Sequence, residues 1–237
     1  MGQKKLKRFA EVKTFTNFHE YPQGMAGQWK NFFNNTHPII LELACGKGEY
    51  AVGMGRLYAQ KNFIGIDLKS NRIWVGAKKA LEEQLLNVAF IRTQIDKLPN
   101  YFEAGEIEEI WITFPDPQLR TSKAKKRLTH PRFLRLYQKV LKPGGIVHLK
   151  TDSPDLYEFT KMVAELYGLK ITCDMNDVSA HPHVDDLLKI KTHYEKLDIA
   201  GSSRIYYLRF QITGSLPVEK DNQLKEMVRE DNTDRRN

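Results

Sequence analysis

Four short segments of the sequence carry residues that could bind or transform a ligand. They are residues 42–48 (ELACGKG), 65–67 (GID), 113–117 (TFPDP) and 150–152 (KTD). Each one ends or follows a short apolar run, which is the pattern of a buried strand. In an open parallel sheet, ligands bind outside the carboxyl ends of the strands. The four segments are therefore expected to lie together at one edge of a sheet.

The first two segments predict a pocket for a cofactor that contains adenosine. Gly46 and Gly48 let the backbone approach a ligand closely, and Asp67 stands about 20 residues later, where a carboxylate can accept both hydroxyls of a ribose. Glu42 adds a carboxylate that suits the cationic S-adenosylmethionine and would repel the pyrophosphate of a nicotinamide dinucleotide. Lys47 could offset that repulsion. A nicotinamide therefore stays an alternative, as does a glycine turn that binds no cofactor.

The third and fourth segments place single carboxylates at strand ends. Asp116 lies between two prolines, whose fixed φ angles stiffen the loop and hold the carboxylate in place. Asp152 can hydrogen-bond a base edge or orient a neighbouring cation. Both also have a structural interpretation, because Pro-Asp-Pro is a common turn composition and Asp152 could cap the helix that begins near Pro154.

Residues 120–127 (RTSKAKKR) are the densest cluster of charge in the chain, with five cations in eight positions. A run of charge is usually a solvated surface. This run directly follows the loop of Asp116, where a phosphodiester backbone would have to dock to deliver a base. We therefore predict that it binds RNA through Arg120, Lys123, Lys125, Lys126 and Arg127.

The elements that position these segments alternate along the chain. Strands are predicted over residues 38–43, 62–67, 88–92, 107–114, 146–151, 170–173 and 204–212, and helices over 49–60, 70–86, 131–141 and 155–167. This alternation indicates an α/β fold with a mostly parallel sheet and helices on both faces.

Composition limits the possible classes of protein. The 237 residues include 41% hydrophobic and 28% charged positions and carry a formal net charge of +8, which favours polyanionic partners if the cations cluster. No stretch approaches the ~20 apolar residues of a membrane span, and no apolar secretory signal begins the chain. The two cysteines are too few for a disulfide framework. A cytoplasmic location is expected.

The order of the motifs resembles the bacterial tRNA (guanine-N7-)-methyltransferase family. The similarity covers residues 38–212 and rests on LELACGKGEY, GID, FPDP with its basic run, LKPGG, KTD and a final THYE. The resemblance implies a class I methyltransferase fold, which is Rossmann-like with a seven-stranded, mostly parallel sheet. It also implies S-adenosyl-L-methionine as cofactor and N7-methylguanosine in the tRNA variable loop as product.

The resemblance also implies roles for acids and for one amide in the cofactor pocket. Glu42, Asp67 and Asp116 fall on cofactor-binding positions, and Asp116 also belongs to the family's active site. Gln94 stands where the family usually has an acid that faces the adenine, although Asp96 could serve instead if the loop is shifted.

Further positions of the family motifs bind the substrate. Asp152 falls on one of them, and Arg120 replaces a substrate-binding lysine. Ala44 replaces the first glycine of the family motif E-x-G-x-G-x-G, a change that should be tolerated if φ at Ala44 is negative. The THYE segment supplies four further substrate-binding positions, namely Thr192, His193, Tyr194 and Glu195.

Methyl transfer to guanine N7 needs positioning rather than a strong base, because N7 carries a lone pair and no proton. We predict that Asp116 is catalytic, holding the guanine and stabilising the positive charge that builds on its ring. Phe114, Tyr157 or Tyr194 could stack on the base. The H-x-H-x-D spacing of residues 181–185 resembles a metal site, but nothing else in the scheme needs an ion, so no metal is predicted.

The predicted organisation is a basic, partly ordered arm over residues 1–37, a S-adenosylmethionine-dependent methyltransferase domain over 38–213 and a charged, flexible tail over 214–237. The expected partner is tRNA, with no membrane and no obligatory protein partner, and the protein is expected to be a monomer or homodimer. Two alternatives stay open, an NAD(P)-dependent oxidoreductase and an RNA-binding module without catalysis. An amino-group methyltransferase is disfavoured, because it would place D/N-P-P-Y where FPDP stands.

Overall fold

The computed structural model describes residues 3–181, 184–192, 195 and 204–234, and within them eight strands form a single sheet. The strands are β1 (Phe18–Glu20), β2 (Ile39–Leu43), β3 (Asn62–Asp67), β4 (Val88–Arg92), β5 (Ile107–Thr113), β6 (Leu141–Thr151), β7 (Lys170–Met175) and β8 (Tyr206–Gln211). Their order is β1-β4-β3-β2-β5-β6-β8-β7, and only β8 runs antiparallel to its neighbours. The predicted α/β fold is confirmed. The short strand β1 extends the expected seven strands to eight.

Helices cover both faces of the sheet. They are α1 (Gln3–Val12), α2 (Trp29–Phe33), α3 (Glu49–Leu57), α4 (Ser70–Glu82), α5 (Pro131–Gln138), α6 (Pro154–Tyr167), α7 (Asp186–Lys189) and α8 (Lys220–Asp234), with 3-10 turns at Ile95–Asn100, Thr121–Lys126 and Val178–Ala180. Helices α1, α3 and α4 pack on one face, and α2, α5, α6 and α8 pack on the other. In the described ranges, no helix has both the length and the apolar character needed to cross a bilayer.

The central strand β2 shows how the sequence builds two cores. Leu41 and Leu43 contribute to the core on the α5 and α6 face, whereas Ile40 contributes to the core on the α3 and α4 face. All residues of β2 are buried, as expected for a parallel strand covered on both sides. Leu43 pairs with both Ile66 and Ile112, so β2, β3 and β5 end at the same edge of the sheet. The candidate site lies at this edge.

The N-terminal segment has more regular structure than the partly ordered arm that the sequence predicts. Helix α1 lies along α4, where the Arg8 guanidinium is 4.4 Å from the centroid of the Trp74 ring. Strand β1 pairs in parallel with β4. Between these two elements, the Asn17 side chain donates a hydrogen bond of 3.0 Å to the carbonyl oxygen of Ala77. These contacts attach the segment to α4 and to the edge of the sheet.

The C-terminal segment also differs from the flexible tail that the sequence predicts, because residues 220–234 form α8. This helix buries Leu224 and Val228 in the core beside α6. Asp221 accepts hydrogen bonds from Arg135 Nη2 (2.6 Å) and from the Tyr167 hydroxyl (2.6 Å). The two apolar residues have helical i, i+4 spacing, but the surrounding charges hide this signal in the sequence. The division of the chain into arm, domain and tail stays a prediction.

The packing of α8 can be tested by truncating one buried leucine. We expect Leu224→Ala to lower the free energy of unfolding by about 2–4 kcal/mol, because it removes buried methyl groups and leaves a cavity. Leu86→Ala is the matched control, since Leu86 is 88% exposed, and its effect should stay below about 0.5 kcal/mol. Urea unfolding followed by circular dichroism measures both variants. Equally small effects would contradict the packing of α8 on the domain.

Candidate active site

The turn after β2 is bent by three residues with positive φ. They are Ala44 (56°), Gly46 (55°) and Gly48 (67°). A Cβ at Gly48 would lie 2.3 Å from Cε1 of Phe90, so a side chain at this position has no room. From the sequence, alanine is expected to be tolerated at position 44 if its φ is negative. The φ of Ala44 is positive, so this condition does not hold. The alanine occupies a left-handed conformation that costs about 1–2 kcal/mol relative to the right-handed one.

Asp67 connects the glycine turn to the end of β3. Its Oδ2 accepts a hydrogen bond from the backbone N–H of Gly46 (3.0 Å), and its Oδ1 accepts one from the backbone N–H of Lys69 (2.8 Å). Asp67 and Ala44 also line two adjoining cavities. The larger one, called here the Asp116 cavity, has a volume of about 660 Å³. The smaller one, called the Gln94 cavity, has a volume of about 280 Å³.

The Asp116 cavity brings together carboxylates from three strand ends. Asp67 ends β3, Asp116 lies in the loop after β5, and Asp152 directly follows β6, and all three line this cavity. Their convergence follows from the topology, because parallel strands present their carboxyl ends at one edge. Close carboxylates make this wall of the cavity favourable for positive charge. The roles predicted for the three residues stay predictions.

The loop that carries Asp116 is strained and held at both ends. Phe114 and Gln118 have positive φ values of 46° and 48°. The Phe114 N–H donates to the carbonyl oxygen of Lys150 (2.8 Å), and the Gln118 N–H donates to Oδ1 of Asp116 (3.0 Å). Asp116 itself is exposed. Such strained backbone persists only where the surroundings fix it.

Arg127 fixes this loop from beneath and does not have the predicted role of an exposed phosphate ligand. Its side chain is buried, with an exposed fraction of 4%. Its Nε lies 3.2 Å from the carbonyl oxygen of Pro117 and 3.4 Å from that of Gln118. The guanidinium also stacks 4.5 Å from the centroid of the Phe159 ring. A buried guanidinium with these partners orients the loop backbone instead of meeting RNA.

The other four cations of the basic run are exposed and follow the Asp116 cavity along the chain, and one of them, Lys125, lines a separate small cavity beside α8. Leu119 lines that cavity, and the exposed Arg120 follows it directly. The 3-10 turn Thr121–Lys126 then presents three exposed lysines, Lys123, Lys125 and Lys126. The run therefore begins at the mouth of the cavity, where it was predicted to bind a phosphodiester backbone.

Glu42 does not line either cavity but lies buried beneath the site. Its Oε2 accepts a hydrogen bond from the backbone N–H of Ala51 (2.8 Å), and its Oε1 accepts one from the Thr113 hydroxyl (3.0 Å). Burial raises the pKa of Glu42 to about 8, and these two hydrogen bonds only partly oppose that rise. Glu42 thus ties α3 to the end of β5. A direct contact between Glu42 and a cofactor, as predicted, has no support in this arrangement.

Lys150 is a buried cation to which no role was assigned from the sequence, where it belongs to the charged triplet of residues 150–152. Its Nζ donates hydrogen bonds to the carbonyl oxygens of Leu188 (2.8 Å) and Ile190 (3.1 Å) and to Oε2 of Glu195 (2.9 Å). It also lies 5.5 Å from the centroid of the Phe114 ring. Burial lowers the pKa of Lys150, and Glu195 opposes this shift. Lys150 therefore attaches Leu188, Ile190 and Glu195 to the end of β6.

This attachment changes the interpretation of the THYE segment. Thr192 is buried and accepts a hydrogen bond from the backbone N–H of Glu195 (3.1 Å). The Glu195 carboxylate pairs with Lys150 (2.9 Å), so both residues stabilise the local fold, and their predicted substrate-binding roles stay predictions. The other two predicted substrate-binding residues, His193 and Tyr194, lie outside the described residues.

Local hydrogen bonds bear on two alternatives that the sequence left open. Ser153, and not Asp152, caps α6, since its hydroxyl accepts from the Leu156 N–H (3.2 Å). Asp152 is therefore available to the cavity. In the Gln94 cavity, Asp96 pairs with Arg132 (2.6 Å), whereas the exposed Gln94 side chain has no hydrogen bond to another described residue. This arrangement favours Gln94 as the group that faces a ligand.

Sequence reasoning missed two cations that line the Asp116 cavity together with the carboxylates. Lys69 and Arg72 line it from the beginning of α4. The sequence did contain a signal for them, since both follow Asp67 closely. The helix after a parallel strand begins at the carboxyl end of that strand, which is the edge of the sheet where the site lies. The metal-like spacing at residues 181–185 includes His183, which lies outside the described residues. Among the described residues, no cluster of three or more His, Cys, Asp or Glu could hold a metal.

The arrangement of strands and helices is that of the class I methyltransferase fold. The solved structure of the 16S rRNA methyltransferase KamB superposes with a TM-score of 0.60 at 14% identity, covering 79% of this chain and 94% of that chain. The 30S ribosomal A1408 methyltransferase from an uncultured bacterium superposes with a TM-score of 0.58 at 18% identity, covering 78% and 92%. At these identities the similarity establishes the fold alone.

Sequence relatives identify the family within this class. Residues 36–208 match a family model described as "Putative methyltransferase". The chain is 44% identical over 221 residues to a tRNA (guanine-N(7)-)-methyltransferase of Bacteroides thetaiotaomicron, covering 90% of this chain and 87% of the relative. It is 47% identical over 211 residues to one of Porphyromonas gingivalis, covering 84% and 86%. The chain therefore belongs to the tRNA (guanine-N(7)-)-methyltransferase family, which confirms the resemblance found in its motifs.

The buried carboxyl of Glu42 predicts a specific pH dependence of stability. Its ordinary pKa of 4.5 applies to the unfolded chain, whereas the folded pKa is about 8. The folded state therefore binds the proton more tightly, and the resulting stabilisation is complete below pH 4.5 and is lost as the pH rises through 8.

We expect Glu42→Gln to remove this contribution, because a glutamine can make the hydrogen bonds of the neutral acid. Between pH 5 and 8 the wild type should lose on the order of 2–4 kcal/mol of stability relative to the variant. Urea unfolding across this pH range measures the difference. Parallel pH profiles of the two proteins would contradict a neutral, buried Glu42.

The Lys150–Glu195 pair can be tested by a double-mutant cycle. We expect Lys150→Met to destabilise the protein by about 3–5 kcal/mol, because it leaves a largely buried carboxylate and two carbonyl groups without their donor. Glu195→Gln should cost less, since its amide oxygen can still accept from Lys150. The cycle should give a coupling energy of at least about 1 kcal/mol. Additive effects would show that the pair does not form in solution.

Proposed function

We propose that this protein transfers a methyl group from S-adenosylmethionine to N7 of a guanosine in tRNA. The single observation that carries this proposal is the convergence of Asp67, Asp116 and Asp152 on one cavity that opens beside an exposed run of cations. The carboxylates suit positively charged reactants, and the cations suit the RNA backbone that delivers the base. The two relatives described above are tRNA (guanine-N(7)-)-methyltransferases, which agrees with this activity.

The two cavities that adjoin at Asp67 have the chemistry that S-adenosylmethionine requires. The Gln94 cavity combines a free amide with the apolar side chains of Ile95 and Phe133, which suits an adenine. The Asp67 carboxylate, where the cavities meet, suits the ribose hydroxyls. The strained backbone at Ala44 and Gly46 leaves this edge of the turn free of large side chains. When bound, the cofactor supplies an electrophilic methyl group on a positively charged sulfur.

The side chains in the Asp116 cavity then have to position the guanine and respond to its change in charge. The N7 lone pair would form the new N–C bond as the bond between the methyl carbon and sulfur breaks, with that bond's electron pair left on a neutral thioether. No proton is lost, so the ring gains the positive charge and no general base is needed. We infer that Asp116 holds the guanine and stabilises that charge from its fixed position in the loop. Asp152 is placed to accept from a base edge. Phe114 lines the same cavity and offers a ring on which the base can stack.

The exposed cations next to the cavity are proposed to bind the tRNA backbone around the target. Arg120, Lys123, Lys125 and Lys126 all precede the buried Arg127, which holds their loop in place. Unpaired loops are the RNA segments whose bases can be extruded into a pocket, and we propose the variable loop as the target. The cytoplasm, where tRNA is abundant, is the proposed location.

A nicotinamide-dependent activity fits the site less well. A dinucleotide would bring its pyrophosphate to the glycine turn, close to Asp67 and the other carboxylates of the Asp116 cavity. A binding module without catalysis would have no use for three converging carboxylates.

The proposed activity is tested by incubating the protein with unmodified tRNA and methyl-labelled S-adenosylmethionine and digesting the tRNA to nucleosides. We expect the label in N7-methylguanosine alone. Label on adenosine, or tRNA binding without any label, would contradict the proposal.

The role of Asp116 gives a sharper prediction. We expect Asp116→Asn to lower kcat by about 10²–10³, because the carboxylate acts mainly on charge that develops during transfer. The Kd for S-adenosylmethionine should change by less than about threefold, measured by calorimetry. Glu82→Gln, which neutralises an exposed acid on α4, is the control and should leave both values unchanged. Equal losses in kcat and cofactor affinity would place Asp116 in the cofactor site instead.

A further inference from the structure

The largest unexplained cavity is a groove on the outer side of α3 and α4, called here the α3–α4 groove. It has a volume of about 680 Å³ and is bounded by these two helices, by the glycine turn and by residues 186–191. Its apolar lining includes Val52, Val75 and Ile190. Of the residues predicted for catalysis, cofactor binding or substrate binding, Gly48 of the glycine turn is the only one among its lining residues.

The side chains around this groove carry an excess of positive charge. Five cations line it against two acids, Glu49 and Asp186, which leaves a net charge of +3. The five cations come from four separate segments and are Lys47, Arg56, Lys79, Lys189 and Lys191.

Ion pairs neutralise only part of this charge. Arg56 pairs with Glu83 (2.5 Å), and Lys189 pairs with Asp186 (2.7 Å). Lys79 and Lys191 are exposed, and within the described part of the chain neither side chain makes a hydrogen bond or an ion pair. These two lysines are therefore the cations most available to a ligand.

The groove shares no lining residue with the two cavities of the candidate active site. The glycine turn separates them, with Ala44 lining the active-site cavities and Lys47 lining the groove. Helix α4 packs directly on this turn, because a Cβ at Gly76 would lie only 2.5 Å from the carbonyl oxygen of Lys47. A large ligand bound over the Asp116 cavity could continue across the turn into the groove.

We propose that the α3–α4 groove binds phosphates of the tRNA backbone at a distance from the methylated guanosine. This inference rests on the proposed function, which supplies a substrate large enough to reach both surfaces. The lysines have long, flexible side chains and come from separate segments, so they suit successive phosphates of a chain better than one small anion. Lysine contacts to phosphate add affinity that is independent of base sequence. The groove would thus help to hold tRNA without taking part in methyl transfer.

The proposal is tested with the double variant Lys79→Gln/Lys191→Gln. The matched control is Lys139→Gln/Lys170→Gln, which removes the same charge from two exposed lysines after α5 and at the start of β7. The Kd for tRNA is measured by filter binding from 50 to 300 mM salt. At about 100 mM salt the groove variant should bind tRNA at least about tenfold more weakly, and its slope of log K against log salt should decrease by about 1–2. The control should match the wild type.

Kinetic measurements distinguish a binding role from a catalytic one. At saturating tRNA, kcat and the Kd for S-adenosylmethionine should be unchanged in the groove variant. A tRNA affinity equal to that of the control, or a loss of kcat without a loss of affinity, would overturn the proposal. Weaker binding of polyglutamate with unchanged tRNA binding would assign the groove to an acidic protein and overturn it as well.

The outcome is separable from that of the proposed function. If the wild type binds tRNA but transfers no methyl group, the proposed function fails while the affinity comparison still decides the groove. If the wild type does not bind tRNA at all, the groove proposal fails with it.

Discussion

Both loops of the candidate active site depend on the buried carboxyl of Glu42. It accepts the N–H of Ala51 in the first turn of α3 and the hydroxyl of Thr113 at the end of β5. The glycine turn precedes α3, and the Asp116 loop follows β5, so one side chain fixes the starting points of both. The carboxyl can serve this purpose in a water-free position because its raised pKa of about 8 keeps it largely neutral at pH 7.

Other polar side chains around the site have one of two roles, according to whether they are buried or exposed. Buried polar groups satisfy and hold the backbone, and exposed ones face the cavities. Arg127 holds the Asp116 loop through two carbonyl groups, and Lys150 holds residues 188–190 through two more. These contacts let Ala44, Phe114 and Gln118 keep positive φ values that would be unfavourable in a free loop. A fixed backbone in turn keeps the exposed carboxylates in place, which is the condition for electrostatic stabilisation of a charged transition state.

Much of the fold could be predicted from the sequence, because its signals are local. Apolar runs gave the central strands, and the glycine turn and Asp67 marked their carboxyl ends. Parallel topology then required Asp67, Asp116 and Asp152 to lie at one edge. Helix α8 and strand β1 were not predicted, since α8 has few apolar residues and β1 has only three residues, and both are stabilised by contacts that are distant in sequence.

The direction in which each charged side chain points could not be predicted. Glu42 and Arg127 were both expected to contact ligands, and both are buried. The sequence does not distinguish them from exposed charged residues, because a charged residue is buried only when partners from other elements satisfy it. The partners of Arg127 lie 9 and 10 residues away, and those of Lys150 lie 38 to 45 residues away. Spacing within one motif does not contain this information.

We propose that the two cavities adjoining at Asp67 form the active site. The adenosine of the cofactor would then occupy the Gln94 cavity, and the reacting methyl group would face the Asp116 cavity. The most direct measurement is a crystal structure of the protein with bound S-adenosylhomocysteine. We expect the adenine beside Gln94 and Phe133, the ribose at Asp67 and the sulfur facing the Asp116 cavity. Density for the ligand in the α3–α4 groove, or an adenine on the Asp116 side, would contradict it.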